Sequence, residues 1–218
     1  MGPFTVFDVE TTGMSPVRDR IVEIGAVRVD RDGVQTRFET LVNPSMPIPY
    51  QVTRVHGIDD NMVANAPSFT DAGYQFLEFA RGSKLIAHNA RFDLSFLQES
   101  LARVGLPLWK SGAYDSIVLI RKAYPGLSSY SLQFLRQALG LGQEIDEARP
   151  HRAGYDAELT MEAFSMAGES NLVFIINELD KAASGKGNGN PADVLLTLLD
   201  NLGFTDNYME CTVPTFGV

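Results

Sequence analysis

The chain has 218 residues, 44% of them hydrophobic and 21% charged, enough to bury one substantial core and ordinary for a globular domain. Its 18 Lys and Arg against 27 Asp and Glu give a net charge of -9, the wrong sign for gripping nucleic acid by bulk electrostatics, so any such contact must be local, short or metal-mediated. The single cysteine, Cys211, excludes an intrachain disulfide and a cysteine-built zinc cluster.

The start, MGPFTVFDV, has no basic region followed by an apolar run, and no segment approaches the roughly 18 apolar residues that span a bilayer. A soluble, cytoplasmic protein is expected. Phe4 to Phe7 has strand character and runs into two carboxylates one residue apart, Asp8 and Glu10, at the end of an expected strand Phe4 to Val9, followed by the turn Thr11-Thr12-Gly13. Extended backbone places i and i+2 on one face, so the two acids point the same way. Like charges that close require a proton or a cation between them, and hard oxygen ligands suit Mg²⁺ or Mn²⁺. Read alone, the pair fits equally well as two acids capping a solvated turn.

Arg20 to Asp30 and Val34 to Val42 are β-rich runs joined by Arg31-Asp32-Gly33, which completes a three-strand meander. Asn43 to Pro49 is a proline-rich loop. Apolar residues at helical spacing predict a helix over Ser68 to Gly82. Lys84 to Ala87 is a short strand ending at His88-Asn89, with Asn89 placed to cap a helix over Ala90 to Val104. A last short strand is expected at Gly112 to Ser116, then helices at Ile117 to Ala123, Ser131 to Leu139, Gly154 to Ala167 and Asn171 to Ala183. Residues 1–183 thus form one domain, 184–190 (SGKGNGN) a flexible linker, and 191–218 a tail that opens with a short amphipathic helix and either packs on the domain or docks a partner. A meander followed by strand-helix alternation argues an α/β sheet with mixed strand directions.

Two further clusters carry chemistry. In His88-Asn89-Ala90-Arg91-Phe92-Asp93 the aspartate lies in a first helical turn after a strand end, where the helix dipole favours a carboxylate and where sites form in open α/β sheets. Asp93 can face Asp8 from there, although a first-turn acid also serves simply to complement the dipole. In His151-Arg152-Ala153-Gly154-Tyr155-Asp156 the aspartate opens a helix and the histidine sits five residues upstream in a loop. An imidazole titrating near neutrality is the usual general base, whereas a loop histidine by itself is most often merely solvated.

Taken together, DVETTG, HNARFD and HRAGYD resemble, in order and spacing, the three motifs of the DEDDh family of 3′–5′ exonucleases. The resemblance covers about Phe4 to Gly168. Within the family the chain is similar to the proofreading exonuclease of bacterial DNA polymerase III, as epsilon subunit or built-in domain, through DRIVEIGAVRV after the first motif and VTRVHGI at Val52 to Ile58. A sister group has tyrosine four residues before the last aspartate; that position is Arg152 here, so the histidine form is the match.

The resemblance implies a ribonuclease-H-like α/β fold, a mixed sheet of five strands with helices on both faces. It implies two divalent ions, Mg²⁺ or Mn²⁺, held by Asp8, Glu10, Asp93 and Asp156 about 3.5 to 4 Å apart, with His151 as the base acting on the attacking water. Thr11, Thr12, His56, Gly57 and Ile58, with Phe92 beside them, would line the pocket for the terminal nucleotide. His56 also reads as a structural residue in a helix-flanking loop and Phe92 as core, while His88 and Asn89 are expected to close the strand-helix junction. The function implied is hydrolysis of single-stranded or frayed DNA 3′ ends with release of nucleoside monophosphates, beside a polymerase or another replication protein. The alternatives are an RNA 3′-end trimming enzyme of the same family, since the catalytic groups do not touch the 2′-OH, and a non-catalytic nucleic-acid-binding module, disfavoured because four carboxylates without metal only destabilise the fold.

Overall fold

The computed structural model describes residues 3–110, 113–143 and 151–170, and the backbone of 205–206 and 211–212. The expected helix at 171–183, the linker at 184–190 and the helix opening the tail lie outside the described residues. Three strands begin the fold: β1 (Phe4–Thr11), β2 (Ile21–Val29) and β3 (Gln35–Leu41), an antiparallel meander. Helices α1 (Tyr50–His56), α2 (Asp60–Val63) and α3 (Phe69–Phe79) follow. Then come β4 (Lys84–Ala87), α4 (Ala90–Arg103), β5 (Ala113–Asp115), α5 (Ser116–Ala123), α6 (Leu132–Leu139) and α7 (Ala153–Ser170). The sheet order is β3-β2-β1-β4-β5, with β4 parallel to both of its neighbours. Apart from it, Thr205–Asp206 (β6) pairs antiparallel with Cys211–Thr212 (β7).

Strand alternation sorts the core into two layers. Phe7 and Val9 of β1, Ile24 and Ala26 of β2, and Leu85 and Ala87 of β4 pack beneath α3 and α4, against Ala72, Phe76, Phe96, Leu97 and Leu101. Val6, Val27 and Ile86 face the other way, into Leu119 and Ile120 of α5, Leu135 of α6, and Ala157, Ala163 and Phe164 of α7. Helices therefore cover both faces of a five-stranded mixed sheet, as expected. By the same alternation Asp8 and Glu10 share the Val6 face, the one that α7 covers.

Helices α1 and α2 have no counterpart in the sequence reading. Both are short: α1 follows Pro49, which offers no side-chain cap, and is closed after two turns by Gly57 in the left-handed conformation (φ 76°), whose N–H returns to Thr53 O. Four residues of α2 stand on the Asp59 cap, which accepts from Met62 N–H. Val63 of α2 joins Val22, Ile48 and Ile58 in a small third core, and α1 is anchored by its one buried residue, His56, so tertiary contacts rather than helix propensity hold them.

One contact fixes how α7 lies on the sheet. Gly25 pairs with Asp8 across β1 and β2, and a Cβ built on it would stand 2.1 Å from Ala153 C and from Gly154 N. The start of α7 thus rests backbone to backbone on β2 where a side chain is missing. Gly25→Ala should push α7 off the strand and lower stability by about 3 kcal/mol, the upper part of the usual overpacking range. Urea unfolding followed by circular dichroism measures this, and an unchanged midpoint would mean that α7 does not rest on β2 in this way.

Candidate active site

β1 and β4 run parallel, and their carboxyl-terminal ends form the edge where α/β sheets place their sites. Asp8 and Glu10 project from β1, while α7 brings Asp156 over the same face in its first turn. One carboxylate oxygen from each of Asp8, Glu10 and Asp156 can be chosen so that all three lie within 4.8 Å of one another. Asp93, in the first turn of α4 and only 2% exposed, stands beside this trio; its Oδ1 accepts the Val9 N–H at 3.0 Å, between the two β1 acids in the chain.

The environment opposes ionisation of all four. Burial, then the charges of Asp93, Glu10, Asp156 and Glu23, hold the Asp8 carboxyl well above the ordinary range. Burial and the neighbouring carboxylates Asp156 and Glu23 push Glu10 to about 9, with Arg152 pulling the other way. Burial lifts Asp93 to about 8 against the Val9 hydrogen bond, and lifts Asp156 to about 7 against a hydrogen bond from the backbone N–H of His151. Asp156 Oδ1 is buried without a hydrogen-bond partner. A buried carboxylate oxygen with no donor and three acids around it takes either a proton or a cation. Clustered hard oxygens are the ligand set that Mg²⁺ and Mn²⁺ prefer, so these residues fit divalent ions.

Of the three histidines, two have both ring nitrogens occupied. His56 is the buried last residue of α1, not a loop residue. Its Nδ1 accepts the Ile58 N–H at 3.0 Å, which leaves Nε2 to donate to Thr11 O at 3.3 Å, and burial lowers its pKa so that the ring stays neutral. His88 lies between the Ser116 hydroxyl, 2.9 Å from Nδ1, and Tyr130 O, 2.7 Å from Nε2, closing the strand-helix junction as expected. His151 is exposed, with a left-handed backbone (φ 60°), two residues ahead of α7.

The other expected pocket residues shape the first turn. Between Glu10 and Thr11 the β1–β2 register shifts, a bulge of the kind that re-aims side chains beside active sites. Thr11 Oγ1 donates to Gly13 O at 2.6 Å, and Thr12 Oγ1 accepts the Arg20 N–H at 3.0 Å. Gly57 provides the left-handed residue after α1, and Ile58 is fully buried in the third core, so the VHGI segment braces the turn from beneath. Phe92 is half-buried, its ring 4.9 Å from that of Phe96.

Asn89 does less here than its sequence setting suggests, and Asp115 and Glu23 do more. Asn89 stands at the start of α4 with φ 64° and makes no capping bond with its side chain. Asp115 at the end of β5 does the capping instead, accepting from Asn89 N and Ala90 N at 3.2 Å each and from Ile117 N at 3.0 Å, so one carboxylate holds the starts of α4 and α5. Glu23, 0% exposed, pairs across the strands with Glu10 and binds Arg152. A lone acid inside the apolar run of RIVEIGAV is the signal that could have marked Glu23.

The exonuclease family model RNase_T matches residues 5–164. The chain is 41% identical over 163 residues to the PolC-type DNA polymerase III of Caldanaerobacter subterraneus, covering 75% of this chain and 11% of that protein. It is 38% identical over 162 residues to the DNA polymerase III epsilon subunit of Treponema pallidum, covering 74% of each. The chain therefore spans about a tenth of the PolC-type relative's length. Among solved structures, Exonuclease X in complex with 5′ overhanging duplex DNA aligns with TM-score 0.59 and 27% identity over 88% of this chain and 99% of that one. E. coli Exonuclease I in complex with a dT13 oligonucleotide aligns with TM-score 0.65 and 17% identity, over 81% of this chain and 44% of that one, and attests the ribonuclease-H-like fold alone. No helix among the described residues is long and apolar enough to cross a membrane.

The raised carboxyl groups set a pH dependence. Above about pH 4 the metal-free folded protein holds protons that the unfolded chain has released. Their contribution to stability is complete on the acid side and is lost as pH climbs through about 7, 8 and 9. In chelator the thermal midpoint should therefore fall between about pH 5.5 and 8.5. Mn²⁺ must displace those protons, so its affinity and the midpoint gain it confers should grow over the same interval. A level midpoint in chelator, or a Mn²⁺ effect that shrinks with rising pH, would contradict the charge balance described.

Proposed function

Since the chain belongs to the RNase_T exonuclease family, we propose that it is a metal-dependent 3′–5′ exonuclease acting on single-stranded DNA ends and releasing nucleoside monophosphates. The observation that supports this most is the convergence of Asp8, Glu10 and Asp156 within 4.8 Å, with Asp93 beside them, in a chain of net charge -9. Buried acids are costly, and a strand carrying phosphates is repelled by them unless cations intervene. Two divalent ions, Mg²⁺ or Mn²⁺, would neutralise the carboxylates, draw in the scissile phosphate and acidify the attacking water.

The chain's own groups divide the rest of the work. Asp8 and Glu10 on a central strand, with Asp93 and Asp156 on first helical turns, give rigid placement to the ligand oxygens. Exposed His151 takes the proton of the water as its oxygen attacks phosphorus, and the bond to the 3′ oxygen of the preceding nucleotide breaks, freeing a nucleoside 5′-monophosphate. The turn at Thr11 and Thr12, braced by His56, Gly57 and Ile58, forms one wall for the terminal nucleotide and Phe92 another. Likeness to the epsilon subunit and to the PolC-type polymerase favours a proofreading role beside a DNA polymerase.

Labelled single-stranded DNA and RNA of equal sequence, incubated with Mg²⁺ or Mn²⁺ and resolved by length, test the reading. DNA should shorten stepwise from its 3′ end while a circular single strand survives; cleavage of the circle removes the exonuclease assignment, and degradation of RNA alone removes the DNA one. Asp8→Ala should abolish Mn²⁺ binding and hydrolysis together. His151→Ala should retain Mn²⁺ affinity and lose about 10² to 10⁴ in turnover, the usual worth of a general base. Calorimetric Mn²⁺ titration beside the rate measurement separates the two, and an unchanged rate in His151→Ala takes the histidine out of this role.

A further inference from the structure

The ion pair between Glu23 and Arg152 joins the two halves of the site. Glu23 is 0% exposed and sits on β2, next to the central strand, where it pairs with Glu10. Arg152 lies between His151 and α7. Its Nε donates to both Glu23 carboxylate oxygens, at 2.9 and 3.0 Å, and its Nη2 donates to Oε1 as well. The Ala153 N–H adds a further bond to Glu23 Oε2 at 2.8 Å. On the solvent side Glu39 approaches Arg152 Nη2 at 3.6 Å.

We propose that Glu23 and Arg152 are positioning residues for the hydrolytic reaction, a buried latch that sets His151 and Asp156 in register with Asp8 and Glu10. The inference rests on the exonuclease reading given above. Three features of the geometry carry it. First, the latch ties consecutive residues, Arg152 and Ala153, to the strand position opposite Glu10, with His151 one residue before and Asp156 three residues after. Second, His151 holds a left-handed backbone that an L-residue with a bulky ring rarely adopts, and such conformations persist where the surroundings fix them; a two-point guanidinium–carboxylate contact at the next residue is such a fixture. Third, fold stability alone gives little reason for this pair. A fully buried acid next to four others adds repulsion, and a buried ion pair is commonly matched in stability by neutral groups of similar size.

Registry makes a prediction that structural support alone does not. Arg152→Gln should lower kcat on a short single-stranded oligonucleotide by about 10²-fold, the scale of a misplacement near 1 Å, while KM stays within about threefold because the pocket walls are untouched. It should also weaken Mn²⁺ binding by about 10- to 100-fold through loss of Asp156 placement, as loss of a group that orients a ligand does. Glu23→Gln/Arg152→Gln removes both charges, so its unfolding midpoint should return close to that of the parent, yet kcat and Mn²⁺ affinity should remain depressed. If the double variant regains kcat along with stability, the pair only supports the fold and the proposal is overturned; Mn²⁺ affinity unchanged in both variants overturns it as well. A parent protein that hydrolyses no nucleic acid refutes the exonuclease reading, whereas the Mn²⁺ titrations still decide the latch.

Discussion

Four carboxylates packed into one largely enclosed corner, Asp93 and Asp156 buried and Asp8 and Glu10 half-buried, repel one another, and most of the surrounding architecture answers that repulsion. Asp93 and Asp156 each sit in the first turn of a helix, where the positive end of the dipole meets them. Val9 N–H donates to Asp93, and the backbone N–H of His151 to Asp156. Arg152 neutralises a fifth acid, Glu23, that would otherwise stand unpaired beside Glu10. Even so, the carboxyl groups remain far above their ordinary pKa values, so the compensation stops short of full ionisation. A site left in that condition is poised for cations, and the repulsion that costs stability without metal becomes the source of metal affinity.

Rigid and adjustable parts are kept apart. The clustered carboxylates project from a central strand and from helix starts that other residues clamp: Gly25 lets α7 lie directly on β2, and Asp115 caps α4 and α5 together. His151, the residue proposed to take the proton, is exposed and lies outside any helix or strand. His56 and His88, whose nitrogens are committed to backbone and hydroxyl partners, are braces and stay neutral. This division follows the common pattern of chemistry at loops mounted on a stiff scaffold.

Legibility in the sequence followed the range of the forces involved. Alternation and helical spacing are local signals, so the sequence pattern marks β4 at its observed ends and α3, α4 and α6 to within a few residues. The placement of Asp8 with Glu10 on one face, and of Asp93 and Asp156 in first turns, followed from the same local geometry. Helices α1 and α2 carry too little periodicity, at seven and four residues, to show in the sequence, and their anchors are distant in the chain: Thr11 O for His56 of α1 and Val22 for Val63 of α2. Asn89 looked like a cap because Asn at that position usually is one, yet the bonds come from Asp115, 26 residues away. Glu23 and Arg152, 129 residues apart, meet only once the sheet has formed and α7 has settled on Gly25.

Net charge then constrains what such a site can do. A protein at -9 repels a polyphosphate at long range, and attraction would begin only where cations bound at the acidic corner reverse the local sign. At physiological ionic strength that reversal reaches about 8 Å, roughly the span of one or two nucleotides of extended strand. Affinity drawn from so short a stretch cannot pull a paired duplex apart along its length, but it can retain an end that has already frayed. A strand terminus presents its last phosphodiester without further unpairing, and under the proposed exonuclease reading each hydrolysis would deliver the next one to the same corner. Selection for ends would thus follow from the contrast between an acidic surface and a small site that cations would fill, with no sequence-reading groove required.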